Sequence, residues 1–85
     1  MLWTVYILEC SDKTLYTGIT NDMESRIVKH TKGLGAKYTR GRSPFKIVYT
    51  ELHKTKGRAL KREAAIKALR RKHKLKLIGA GISAK

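Results

Sequence analysis

The sequence predicts a small α/β domain of the α+β type, with a three-stranded antiparallel sheet flanked by helices. The expected order is β-β-α-β-α with a short C-terminal helix or turn. Three observations carry this. Two runs rich in β-branched and aromatic residues, Leu2 to Glu9 and Leu15 to Thr20, flank the turn residues Ser11-Asp12-Lys13. A third such run, Phe45 to Leu52, stands between two helical stretches. The second helical stretch, from Arg58 to about Lys72, is alanine-rich and has high intrinsic helix propensity.

The register of the first two strands follows from parity. Val5 and Ile7 belong on the core face with Leu15 and Ile19, so paired positions sum to an even number. A three-residue loop (11–13) or a five-residue one satisfies this. Tyr6, Tyr16 and Gly18 then share the opposite face, where glycine leaves space beside Tyr6.

Asn21 is the expected helix N-cap, with Glu24 as its capping-box partner. That helix runs to about Lys32 and stops near Gly33. Met23, Ile27 and His30 or Leu34 form its inner stripe, and Arg26 and His30 stack on one flank at i, i+4. A basic loop with three glycines follows, and Pro44 ends it. In the third strand Phe45, Ile47 and Tyr49 alternate with Lys46, Val48 and Thr50. Ala59, Ile66 and Leu69 mark the buried side of the next helix. Glu63 lies one turn from both Ala59 and Ile66, which leaves it partly shielded and turned toward the sheet. Leu75, Leu77 and Ile78 suggest a short terminal turn or helix packing back. At 85 residues one domain is expected, spanning residues 1–78, with residues 79–85 as a flexible tail.

Charge is the dominant compositional fact. Twenty Lys and Arg against six Asp and Glu give a formal net charge of +14. Twelve of the cations lie between Leu52 and Lys85, with Glu63 as the one acid there. Self-repulsion at this charge disfavours a compact state without a polyanion, so nucleic acid is the first expected partner. A membrane surface would attract the same charge, but no helix shows a wide Leu/Phe/Trp face. The one cysteine, Cys10, excludes an intrachain disulfide and speaks against a metal cluster. It reads as a small apolar residue at a strand end. No apolar run reaches transmembrane length and no signal peptide is seen, so a reducing, cytoplasmic setting is expected.

With Thr4-Val5-Tyr6, Tyr16-Thr17-Gly18, Arg26, His30 and Glu63 in that order, the chain resembles the GIY-YIG nuclease family over nearly its whole length. It is most similar to the small standalone members, whose pattern the stretch Gly35-Ala36-Lys37-Tyr38-Thr39-Arg40 also resembles. The resemblance implies hydrolysis of DNA phosphodiesters with a divalent metal, Mg²⁺ or Mn²⁺. It implies Tyr6 as general base, Tyr16 as the group that orients the water or Tyr6, and Arg26 as the clamp on the scissile phosphate. His30 would help Tyr6 lose its proton, and Glu63 would bind the metal. DNA repair or recombination is the setting that the family suggests. Thr4 replaces the first-motif glycine, and the C-terminal asparagine of some members is missing, since Asn21 is the chain's one asparagine.

The chemistry agrees from below. A phenol has an unperturbed pKa of about 10, so it is a poor base at neutral pH without a cation or histidine beside it. A single carboxylate binds Mg²⁺ weakly, but this ion keeps most of its waters and takes a substrate phosphate as a further ligand. Each residue also has an ordinary structural role. The tyrosines would pass as cross-strand aromatics, Arg26 as a solvated helix residue, and His30 as a filler of the inner stripe. Glu63 would pass as an i, i+4 partner of Lys67. The set is more telling than its members, because parity and chain order bring them together.

Two functions compete. One is a DNA endonuclease with little sequence preference, for which branched and nicked DNA are candidate substrates. The other is a non-catalytic nucleic acid-binding protein on the same scaffold, with RNA as well as DNA as a partner. Lys37, Tyr38, Arg40, Arg42, Arg58, Arg62, Arg70 and Arg71 are the candidate nucleic acid contacts. A structural basic domain in a larger assembly is a third, weaker reading. Nothing in the sequence calls for an obligate protein partner.

Overall fold

The computed structural model describes residues 2–33, 41–42 and 44–83. Three strands, β1 (Trp3–Glu9), β2 (Leu15–Thr20) and β3 (Lys46–His53), form one antiparallel sheet in the order β2-β1-β3. Three helices, α1 (Met23–Thr31), α2 (Lys56–Lys67) and α3 (Arg71–Ser83), complete the chain. The α+β class and the element order therefore hold, and of the expected C-terminal helix or turn it is the helix that forms, 13 residues long.

The β1–β2 hairpin has the register that parity requires, with Tyr6 opposite Gly18 and Val5 opposite Ile19. Its turn closes by Lys13 N–H donating to the Cys10 carbonyl at 2.9 Å, with Lys13 at φ 69°. This is a three-residue loop ending in a left-handed residue. Lysine there bears a steric cost that glycine would not. Cys10 is buried just past β1 as a free thiol.

Val5, Ile7, Tyr49, Ala59 and Ile66 form the core, with Trp3, Leu15, Ile19, Val48, Leu77 and Ile78 packed against it. Thus α2 and α3 cover the face of the sheet that carries the odd-numbered residues of β1. The other face carries Tyr6 and Leu8, both buried, and meets His30 of α1.

Three local expectations are corrected. The N-cap of α1 is Asp22, whose carboxylate accepts from Ser25 N–H at 3.1 Å, rather than Asn21. Thr20 holds this entry by accepting from Asp22 N–H at 3.0 Å, which sets the cap one residue later. In β3 the alternation breaks at a bulge: Ile7 faces Tyr49, but Leu8 faces Ile47. The extra residue flips parity, so Val48 packs on the core while Ile47 is 41% exposed. Finally, α2 ends at Lys67 with Ala68 as C-cap, not near Lys72. The chain turns there so that α3 can lay Leu77 and Ile78 on the core, and this burial outweighs the propensity to continue.

Candidate active site

Strand pairing places Tyr6 directly across from Gly18. The Tyr6 ring lies over that glycine. A Cβ at Gly18 would stand 2.6 Å from Tyr6 Oη, 2.7 Å from its Cζ and 3.1 Å from Tyr16 Cε2. The glycine does make the space that the sequence suggested, and the phenol itself fills it.

Tyr6 Oη and His30 Nε2 share a buried hydrogen bond of 2.9 Å. Tyr6 and His30 are each 1% exposed, whereas Tyr16 is partly open to solvent. Tyr16 and His30 meet edge to face with centroids 5.4 Å apart, and Tyr6 and Tyr16 lie 6.3 Å apart. Phe45 closes the group against His30 at 5.9 Å. Two tyrosines, a histidine and a phenylalanine thus form one aromatic cluster, and Gly18 sets its depth.

The electrostatics of this cluster have clear causes. Burial, and next the like charge of a Tyr16 phenolate, push the Tyr6 phenol well above its ordinary value. Arg26 pulls it down through its charge and a hydrogen bond, and Glu63 pushes it up. Burial, and then the Arg26 guanidinium, hold His30 below its ordinary value, so its imidazole is neutral at pH 7. A neutral imidazole has a lone pair with which to accept a phenolic proton.

Glu63 comes from α2 and has a side chain 18% exposed, shielded as the helix pattern indicated. It also makes the expected i, i+4 ion pair, with Lys67 Nζ 3.5 Å from Oε2. Among the described residues no group of three or more His, Cys, Asp and Glu converges on a metal position. A lone, partly open carboxylate whose negative charge reaches Tyr6 fits a hard, mostly hydrated cation and not a soft transition metal.

The candidate nucleic acid contacts divide. Arg58, Arg70 and Arg71 are exposed. Arg42 is committed to the hairpin turn, where its Nη1 pairs with Asp12 Oδ2 and its carbonyl accepts from Ser11 N–H. Arg62 is likewise occupied: its Nε–H donates to Glu51 Oε1 at 2.7 Å. Lys37, Tyr38 and Arg40 lie outside the described residues.

Arg62 belongs to a polar network that the sequence reading missed. Glu51 also accepts from the Tyr49 hydroxyl at Oε2 and from His53 Nε2–H at 2.8 Å. Burial pushes the Glu51 carboxyl up, but hydrogen bonds from Tyr49, His53 and Arg62 outweigh it and hold the group below its ordinary value. Tyr49, Glu51 and His53 stand at i, i+2 and i+4 of one strand, a period-two signal legible in the sequence. The network joins β3 to α2 one residue before Glu63.

A three-stranded antiparallel sheet with two phenols over a glycine, backed by a histidine and approached by an arginine and a glutamate, defines the class: a nuclease-type α+β domain. The GIY-YIG catalytic domain model matches residues 2–76, and the chain belongs to the GIY-YIG family, a nuclease family. It is 53% identical over 77 residues to a UPF0213 protein of Staphylococcus saprophyticus, covering 91% of this chain and 94% of that one. A UPF0213 protein of Clostridium perfringens is 55% identical over 76 residues, 89% of this chain and 82% of the relative. Two solution NMR structures share the fold. The UPF0213 protein BH0048 of Bacillus halodurans is 48% identical with a TM-score of 0.62, and EF2693 of E. faecalis is 38% identical with a TM-score of 0.67. Each match covers 94% of this chain and 85% of the other. No helix among the described residues is long and apolar enough to cross a membrane.

Proposed function

We propose that the protein is a metal-dependent endonuclease that hydrolyses DNA phosphodiesters with little sequence preference. The observation that carries this reading is the buried Tyr6–His30 hydrogen bond over Gly18, with Arg26 and Glu63 both acting on the same phenol. Cross-strand aromatics need neither a neutral histidine behind them nor opposed charges beside them.

In this reading, water and phosphate approach from the Tyr16 side, because Tyr16 is partly exposed and Tyr6 is not. Tyr16 orients the water. The proton it loses passes inward to the Tyr6–His30 pair, whose neutral imidazole accepts it. Arg26 holds the non-bridging oxygens of the phosphate, where negative charge develops. Glu63 holds the divalent cation, Mg²⁺ or Mn²⁺. That ion, when bound, supplies electrostatic stabilisation to the leaving oxygen.

The reading is tested by incubating the purified chain with branched, nicked and single-stranded DNA, with Mg²⁺ or with chelator. Cleavage is expected with metal alone, and lost in Tyr6→Phe and Glu63→Ala while DNA binding is kept. Failure to cut any of these substrates would overturn it. One observation favours the competing reading of a non-catalytic nucleic acid-binding protein. The Tyr6 phenol is sealed, and burial raises it away from the base form. That reading expects salt-sensitive binding that is indifferent to Glu63 and to chelator.

A further inference from the structure

The outer edge of β2, opposite β1, is flanked by cations from α2 and α3. Leu15, Tyr16, Thr17, Lys67 and Lys74 line a shallow groove of about 390 Å³. A second hollow of about 200 Å³ continues it, sharing Leu15 and Lys74 and adding Thr14 and Arg71. Tyr16 stands at the end nearest the aromatic cluster.

Three features of this groove ask for an anion. Thr17 is 3% exposed, and its Oγ1 has no hydrogen-bond partner among the described residues. An unpaired buried hydroxyl costs free energy that a bound acceptor would recover. Second, Arg71 and Lys74 sit in the first turn of α3, which holds no acid. Cations at a helix N-terminus oppose the macrodipole, so the arrangement is unfavourable until negative charge arrives. Third, all six acids of the chain lie among the described residues, and none pairs with Arg71 or Lys74. Lys67 is the link to the candidate metal carboxylate, through its 3.5 Å contact with Glu63.

We infer that this groove is a phosphate subsite, in which Thr17, Lys67 and Lys74 hold a backbone phosphate of the nucleic acid strand flanking the bond at Tyr16. The inference rests on the nuclease reading for its substrate class. It deepens that reading by giving the strand a path along the β2 edge, toward Thr14 and Arg71.

The test measures binding without cleavage. Glu63→Ala protein in chelator is titrated with a short fluorescein-labelled single-stranded DNA, and with its duplex, across a salt series. One phosphate contact contributes a slope of about 0.9 in log K against log salt for the duplex and about 0.7 for the single strand, or about five-fold and about four-fold in affinity between 1 M and 0.15 M. Lys74→Gln is therefore expected to weaken binding about four- to five-fold at 0.15 M and to flatten the slope by about one. Lys46→Gln, the same charge change on the far edge of the sheet, is expected to cost less than about two-fold. Thr17→Val separates a binding role from a structural one. Replacing an unpartnered buried hydroxyl by methyl is expected to raise Tm by about 4 °C or more, yet weaken binding at least about three-fold. Equal losses in Lys74→Gln and Lys46→Gln, or Thr17→Val binding like its parent, would overturn the subsite. So would an absence of salt-dependent binding. Because chelator is present, failure of the wild-type protein to cut DNA leaves these outcomes untouched and bears on the nuclease reading alone.

Discussion

Replacing Gly18 by alanine is expected to destabilise the protein, although the same change at most strand glycines stabilises. Gly18 is not in the left-handed region, so its backbone accepts alanine without strain. Reduced entropy of the unfolded chain would then favour alanine by about 0.4–1 kcal/mol. The packing opposes this. A Cβ would meet Tyr6 Oη at 2.6 Å, and ordinary contact begins at 3.4 Å, so the phenol must move by about 0.8 Å. Tyr6 is 1% exposed and tied to His30 at 2.9 Å, so the shift either breaks that bond or forces His30 to move with the ring. Overpacking of this kind costs about 1–3 kcal/mol. A net loss of about 1–2 kcal/mol remains, a fall in Tm of about 4–16 °C for a domain this small. Urea and thermal unfolding by circular dichroism measure it. In a Tyr6→Val background the clash is gone, and Gly18→Ala is expected to become neutral or stabilising. A Gly18→Ala protein that melts at or above wild type, or that loses the same amount in both backgrounds, would show that Tyr6 does not occupy the space over Gly18. If the nuclease reading holds, the same shift costs on the order of a hundred-fold in rate, measured as cleavage per folded protein.

His30→Leu removes the imidazole partner of the buried Tyr6 hydroxyl. It is expected to lower unfolding free energy by about 1–3 kcal/mol in a urea titration, with Tyr6→Phe losing a similar amount. Because His30 is held below its ordinary value when folded, the unfolded chain takes up its proton first as pH falls. Stability from this group is present above about pH 6.5 and drains away below it, so Tm measured from pH 7 to pH 5 falls more steeply in wild type than in His30→Gln. Glu51, also held below its ordinary value, acts in a lower window. Its contribution is present above the ordinary carboxylate range, and a Glu51→Gln protein should show a flatter acid limb below about pH 4.5. Arg62→Met, which strips one charged donor from Glu51, is expected to cost about 1–2 kcal/mol by thermal unfolding, discounted for the partial exposure of the pair.

Much of this molecule is legible in its sequence because short-range rules govern it. Alternation fixed the hairpin, and parity alone put Tyr6, Tyr16 and Gly18 on one face, since a side chain cannot change faces without a register slip. Helix periodicity likewise placed His30 on the buried side of α1 and left Glu63 shielded at the margin of α2. What the sequence could not decide were contacts between segments far apart in the chain. Arg42 and Arg62 read as free cations until Asp12 and Glu51, brought in by folding, engaged them. The bulge in β3 and the early end of α2 were set by what the core needed to bury, not by local preference. The seal over Tyr6 is of the same kind. A strand pattern gives the direction in which a phenol points, but burial, and with it the proton affinity of that phenol, depends on His30 closing over it from another element.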